Sequence, residues 1–200
     1  VGSEMCIRDS VSPAVVDAFP ALLERAGVRM IVPDGIDGVC CGTPWSSKGQ
    51  AAGYEINKKR SRERIAAAVA DSGLPVVSDA VSCTEGFISI LEGSGVTVVD
   101  AVAFTAHELL PRLDVTPREG TLVLHPTCSS THMGVNDDLL AVARAAYTDV
   151  VVPNAWGCCA FAGDRGMLHP ELTASATAAE AAEVAGIDAD AYASPNRTCE

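Results

Sequence analysis

Positive charge is scarce in this chain: its 200 residues hold 14 lysines and arginines against 26 aspartates and glutamates, a formal net charge of -12. No basic stripe is available to neutralise phosphates or anionic lipid headgroups, so nucleic acid is excluded as an expected partner. Long apolar runs are missing too. Ile65 to Ala70 and Val96 to Val102 are short and bounded or interrupted by charge, well under the roughly 18 residues that signal a membrane span. No charged stretch followed by an apolar one opens the sequence, so no secretion signal is read and a cytoplasmic location is expected. G-x-G-x-x-G and P-loop patterns are absent, as are the ferredoxin spacing C-x2-C-x2-C-x3-C-P and the C-x-x-C of thiol–disulfide exchangers. Ser46-Ser47 and Ser129-Ser130-Thr131 lack a partnered histidine and acid in recognisable order, which removes the case for a serine nucleophile.

What the chain does hold is cysteine, eight in all. In a cytosolic protein such a number serves metal or redox chemistry rather than a disulfide framework. Residues 1–10, which include Cys6, show no continuous apolar period, do not lead into Val11 and resemble translated adapter sequence; they are expected to be non-native. The chain stops one residue beyond Cys199 without a closing helix, so both ends read as cut.

From Ser12, a capping residue followed by Pro13, an amphipathic run to Ala26 predicts a helix that Gly27 ends. Val28 to Pro33 is β-branched and apolar and predicts a buried strand, leading to a glycine-rich loop with Cys40 and Cys41. A helix over Ala51 to Ala70 and a strand at Val76 to Ser78 then lead to Cys83. The second part repeats the order: strand Thr121 to His125, Cys128, helix Asn136 to Tyr147, strand Asp149 to Pro153, Cys158 and Cys159, helix Glu171 to Ala185, strand Ala191 to Ser194, Cys199. Individual letters agree as well. Val32-Pro33 ahead of Cys40-Cys41-Gly42 matches Val152-Pro153 ahead of Cys158-Cys159-Ala160, and Ser78-x4-Cys83 matches Ser194-x4-Cys199. Between the parts, Gly86 to Leu91, Val96 to Val99 and Val102 to Leu110 predict a helix, a strand and a closing helix, with Pro111 to Gly120 as linker.

The expected fold is therefore α/β, with two pseudo-symmetric halves, each a small parallel sheet flanked by helices. The first half covers 11–115 and is cut at its N-terminal side; the second covers 116–200 and is cut at its C-terminal side. Ligands of parallel sheets collect at the carboxyl ends of the strands, where every one of these cysteines is expected. Cys128, Cys158, Cys159 and Cys199 then supply four thiolates, the number a 4Fe-4S cluster needs. Cys40, Cys41 and Cys83 are the corresponding ligands in the first half, whose fourth ligand is expected before Val11. Adjacent cysteines make strained disulfides but can reach different irons of one cluster. Two other readings stay open: small buried apolar side chains, and a tetrahedral zinc site from Cys128, Cys159, Cys199 and His125 or His132.

The stretches GVCCGTPWSSKG (Gly38 to Gly49), HPTCSSTHMG (His125 to Gly134) and GCCAFAGDRGMLHPE (Gly157 to Glu171) resemble the cysteine-rich CCG domain found in heterodisulfide reductase and in the iron–sulfur component of glycolate oxidase. With DAVSCTEG (Asp79 to Gly86) and SPNRTCE (Ser194 to Glu200), the wording is most similar to the C-terminal part of FAD-linked, iron–sulfur D-lactate dehydrogenases. The resemblance covers Val11 to Glu200. It implies an electron-transfer domain that takes electrons from a flavin oxidising D-lactate, glycolate or a similar 2-hydroxy acid and delivers them to a quinone or cytochrome. FAD, its binding domain and a ferredoxin-like domain would lie elsewhere in the parent protein, at the inner face of the membrane. The heterodisulfide reductase pattern carries C-x-x-C where this chain has Ala80-x-x-Cys83 and Asn196-x-x-Cys199. One cysteine per half is thus missing, which disfavours the five-cysteine double cluster and heterodisulfide chemistry.

His125 and His132 flank Cys128 and are candidates for hydrogen bonds to a cluster sulfur, with loop packing as the plain alternative. Lys48 and Arg165 follow the paired cysteines, where a cation can stabilise a reduced cluster, with solvated surface charge as the plainer reading. Trp45 and Trp156 read as core packing more than as a docking face. Lys58, Lys59, Arg60, Arg62 and Arg64 read as a solvated helix face.

Overall fold

A computed structural model describes residues 17–34, 38–161, 165–196 and 199. The chain divides into two compact units, Val1–Phe104 and Thr105–Glu200. In both, small parallel sheets are flanked by helices, as the alternating pattern predicts.

In the first unit α1 (Ala18–Arg25) ends at Gly27, whose φ of +69° is the left-handed stop that glycine supplies without strain. The predicted cap at Ser12 and Pro13 lies outside the described residues. A short helix, α2 (Thr43–Ser47), precedes the long α3 (Ala51–Val69), and β1 (Val76–Ser78), α4 (Val81–Leu91) and β2 (Val98–Asp100) complete a parallel β-α-β unit. Val76 pairs with Val98 and Ser78 with Asp100. The core is Val39, Cys41, Ile65, Val76, Phe87, Ile90 and Leu91.

One predicted strand is not there. Val28 to Pro33 has no regular structure and no ladder, and Met30, Ile31 and Val32 are 44%, 53% and 56% exposed. Among the described residues β1 pairs only with β2, so the apolar letters of 28–33 line one wall of a groove of about 380 Å³ against α1, α3 and β1. Apolar β-branched composition marks a segment that wants cover; it does not supply the neighbouring backbone that a strand needs.

The predicted closing helix is also divided. α5 (Ala101–Phe104) gives way to a π-helical turn at Thr105–Leu109 and a 3-10 turn at Leu110–Arg112. Pro111 has no N–H to return to the preceding turn, which ends regular helix there.

The second unit has a three-stranded parallel sheet in the order β4-β3-β5, with β3 (Arg118–Leu124) central, β4 (Tyr147–Val151) and β5 (Ala191–Ala193). Thus β3 starts inside the expected linker. Its residues Leu122, Val123 and Leu124 are buried, as a central strand covered on both faces requires. The register with β4 shifts between Arg118 and Thr121, where Gly120 takes a φ of +129° and Asp190 accepts from the Thr121 N–H at 2.8 Å. The helices are α6 (Cys128–His132), α7 (Asn136–Ala146), α8 (Arg165–Leu168) and α9 (Pro170–Val184). Because all three strands run the same way, the loops after β3, β4 and β5 leave from one edge, and these loops carry Cys128, Cys158, Cys159 and Cys199.

Buried polar groups in the first unit are tied to the β-α-β unit. Thr84, fully buried on α4, donates to Asp100 Oδ2 at 2.7 Å, and Asp100 Oδ1 accepts from the Val102 N–H at 2.9 Å. Thr84→Val keeps the shape but removes the hydroxyl, so a buried carboxylate loses a donor. The expected loss of stability is about 1–3 kcal/mol, read as a lower urea midpoint with unchanged slope; an unchanged midpoint would show that the bond does not contribute.

Candidate metal centre

In the first unit the cysteine pair is fixed by α3. The Cys40 N–H donates to Ser61 Oγ (3.2 Å), and its carbonyl accepts from Asn57 Nδ2 (3.0 Å) and Ser61 Oγ (3.0 Å). Asn57 and Ser61 lie four residues apart on one helical face, both buried, so this polar face of a basic helix exists to clamp the loop. The same helix carries Arg62, which donates to the carbonyls of Ile90 (3.1 Å) and Glu92 (2.7 Å) at the end of α4. Arg62 is therefore a helix-end cap rather than part of a solvated face, because its guanidinium takes up carbonyls left over at a helix C-terminus.

Cys41 is 3% exposed and belongs to the apolar core. Cys83 sits in the first turn of α4, its N–H bonded to the Ala80 carbonyl at 2.8 Å. Three residues on is Gly86. A Cβ at Gly86 would lie 2.7 Å from the Cys41 carbonyl oxygen and 2.9 Å from the Cys41 Cβ, so α4 lies directly against Cys41 at the one residue type that permits it. Hydrogen bonds from the Cys40 thiol, and next from Cys83, hold the Cys41 thiol down to about 3, against burial and with Thr43 Oγ1 3.4 Å away.

In the second unit Thr127 caps α6 reciprocally. Its Oγ1 accepts from the Ser130 N–H (3.1 Å), while its own N–H donates to Ser130 Oγ (2.9 Å). Both residues are fully buried, so Ser130 holds Cys128 at the start of the helix instead of serving as a nucleophile. Cys158 and Cys159 lie in the loop after β4, and Glu183 of α9 accepts from the backbone N–H groups of Asn154 and Ala155, both at 2.8 Å. Those two bonds hold the Glu183 carboxyl below the usual carboxylate range. Ala160 follows the pair with a φ of +56°, a left-handed value that Gly42 also takes (+82°) after Cys41. The methyl is accommodated at some cost in backbone strain, and the Ala160 N–H donates to Cys158 Sγ at 3.4 Å.

The sulfurs of Cys159 and Cys199 are 3.3 Å apart. The hydrogen bond from Cys199 is the main reason that the Cys159 thiol is lowered to about 6; burial opposes it, and the Phe161 N–H and the charge of His125 assist. Cys128 goes the other way. Burial and then the charge of Cys158 push its thiol up, so these two thiolates repel. None of the seven described cysteines is in a disulfide; Cys41 is buried, Cys128 and Cys158 are exposed and the others lie between.

The geometry therefore brings Cys41 against Cys40 and Cys83, Cys159 against Cys199 and Cys128 against Cys158. Among the described residues no three thiol, imidazole or carboxylate groups surround one point at metal-binding distance. The donor chemistry nonetheless fits an iron–sulfur group. The donors are soft thiols, two of them are lowered toward the thiolate that ligates, and one pair repels until a cation lies between. His132 is exposed on α6, Lys48 and Arg165 are exposed, and Trp45 packs on Gly53 of α3.

Cysteines gathered in two parallel α/β units define a thiol-based redox module. A model of the cysteine-rich CCG domain matches residues 4–87 and 122–200, and the chain belongs to that family. Each matched stretch holds four cysteines, since the first takes in Cys6. No curated protein matches the chain. Membership supports a metal-binding, iron–sulfur type of redox domain associated with an oxidoreductase.

Thr127, Glu183, Glu180, Asn57 and Gly86 escaped the sequence reading. A T-x-x-S capping pattern ahead of a short helix was visible at Thr127; the others act across 17 or more residues, with no local signal.

Two outcomes are expected. Gly86→Ala forces α4 off Cys41 and should cost about 1–3 kcal/mol by urea unfolding of the metal-free chain; full stability would show that the contact relaxes freely. Iodoacetamide labelling of Cys159 in that chain, followed by peptide mass spectrometry, should rise as pH rises through about 6 rather than near the ordinary 9.0. A rise centred near 9 would mean that Cys199 does not stabilise the thiolate.

Proposed function

We propose that this domain is the electron-transfer part of a FAD-linked dehydrogenase for D-lactate, glycolate or a similar 2-hydroxy acid, relaying electrons from the flavin to a quinone or cytochrome. Cys128, Cys158, Cys159 and Cys199 would hold a 4Fe-4S cluster, with Cys40, Cys41 and Cys83 the corresponding donors in the first unit. The observation that carries this reading is the delivery of four thiols from three loops at one edge of a parallel sheet, two of them at 3.3 Å.

A bound cluster supplies one-electron storage. The chain's own residues bind and tune. Thr127 and Ser130 fix the entry of Cys128, Glu183 fixes the turn before Cys158, and the Ala160 N–H is directed at a sulfur. Hydride abstraction belongs to the flavin domain, and the wording of the cysteine motifs is the support for the substrate class. Among the described residues no helix is long and apolar enough to cross a membrane; the parent is proposed to work in the cytoplasm at the inner face of the membrane.

Zinc bound by Cys128, Cys159, Cys199 and His125 is a second reading, favoured by the carboxylate hydrogen-bonded to His125, a common partner of a ligating imidazole. Metal analysis decides. Anaerobic reconstitution with iron and sulfide should give iron and sulfide in equal amounts with a paramagnetic signal on reduction, lost in Cys159→Ser. Uptake of zinc alone would replace the redox reading with a structural one. In the full-length flavoenzyme, D-lactate should reduce this cluster, and a silent cluster would remove the relay.

A further inference from the structure

One buried ionisable pair takes no part in clamping the cysteine loops. His125 stands at the end of β3, where its N–H donates to the Ala193 carbonyl at 2.9 Å and extends the β3–β5 ladder. Its backbone is thus fixed, and only the ring can turn. The ring does not turn freely either, because Nδ1 lies 2.6 Å from Oε1 of Glu180 on α9. The two side chains are 15% and 11% exposed.

A carboxylate buried to that degree is costly unless something compensates it, and here the compensation is an imidazole. With Nδ1 held by Glu180, Nε2 is on the opposite edge of the ring. His125 stands three residues ahead of Cys128, and Ala193, whose carbonyl it binds, stands six ahead of Cys199, so His125 lies at the sheet edge from which the loops of these thiols leave; its charge also helps lower the Cys159 thiol. Glu180 lies one helical turn from Glu183, which holds the loop ahead of Cys158 and Cys159. One face of α9 therefore fixes both the loop that carries the thiols and the ring beside them.

We propose that Glu180 is a positioning residue of the second unit: it holds Nδ1 of His125 and so locks the tautomer and orientation of that ring at the strand end from which the loops of Cys128 and Cys199 leave. The inference rests on the reading of this unit as a thiolate-bound iron–sulfur centre, and it adds the residue that governs the outer contact of that centre. With its Nδ1 proton donated to Glu180, a neutral ring offers Nε2 as an acceptor, and a ring held in one orientation at the edge of a thiolate site fixes the local field there; outer partners of this kind govern how tightly metal is kept.

The test uses the full chain as wild type, Glu180→Leu, His125→Phe and the double variant. Nitrogen-15 NMR of the metal-free chain should show His125 protonated at Nδ1 in the wild type and not fixed there in Glu180→Leu; the same ring state in both would overturn the proposal. In the reconstituted chain, Glu180→Leu should shift the midpoint potential and speed iron loss to a chelator by roughly tenfold to a hundredfold. It should have no further effect when His125 is already phenylalanine. An equal effect in both backgrounds would mean that Glu180 acts directly by its charge, and no effect in either would mean that it only fills space. If Glu180→Leu does not fold, Glu180→Ala carries the same comparison, since it too removes the acceptor that holds Nδ1. Failure of the wild type to take up iron sinks the iron–sulfur reading, while the ring state still decides the role of Glu180.

Discussion

Thiols that ionise side by side repel, and each unit has to hold several of them close together before any metal is there to screen the repulsion. In the second unit the effect is visible at Cys128, where the neighbouring Cys158 charge opposes ionisation. Left to themselves, flexible loops would relieve such crowding by moving apart. The rigid elements around the cysteines prevent it, with hydrogen bonds to the backbone of the loops rather than contacts to the sulfurs alone.

The two units meet this constraint with the same plan and different parts. A long helix clamps each paired-cysteine loop, through Asn57 and Ser61 in one case and Glu183 in the other. A neutral clamp serves the first unit, where a further negative charge beside the buried Cys41 thiolate would be expensive. Glu183 works from an exposed position, where a carboxylate keeps its hydration and still accepts two backbone bonds. The last cysteine of each set follows a strand, with Cys83 in the first turn of α4 and Cys199 beyond β5.

Much of this was legible in the letters. The helices α3, α7 and α9 were read within a residue or two of their bounds, and β1 at its observed bounds. The internal repeat implied two sheets with their cysteines after the strands, which holds for Cys83 and the second unit, whereas no strand precedes Cys40 and Cys41 among the described residues. Val28 to Pro33 failed because strand formation depends on a partner backbone that composition does not contain. The closing helix does not run on because Pro111 offers no N–H to the turn before it. The cysteines were legible as a set because their chemistry is local to the residue. Glu180 was not, because it reads as an ordinary acidic residue of an alanine-rich helix, and only the packing of α9 on β3 brings it to His125, 55 residues away in sequence.

The unequal exposure of the thiols has a practical side. Cys128 and Cys158 face solvent, whereas Cys41 is shielded by Val39, Ile65, Phe87 and their neighbours. Air and chelators therefore reach the second unit first. A preparation handled in oxygen loses that unit's reactivity early while the buried thiol of the first survives, so age and history of the sample are written unevenly along the chain, and a cysteine count taken after purification reads out exposure to oxygen before it reads out function.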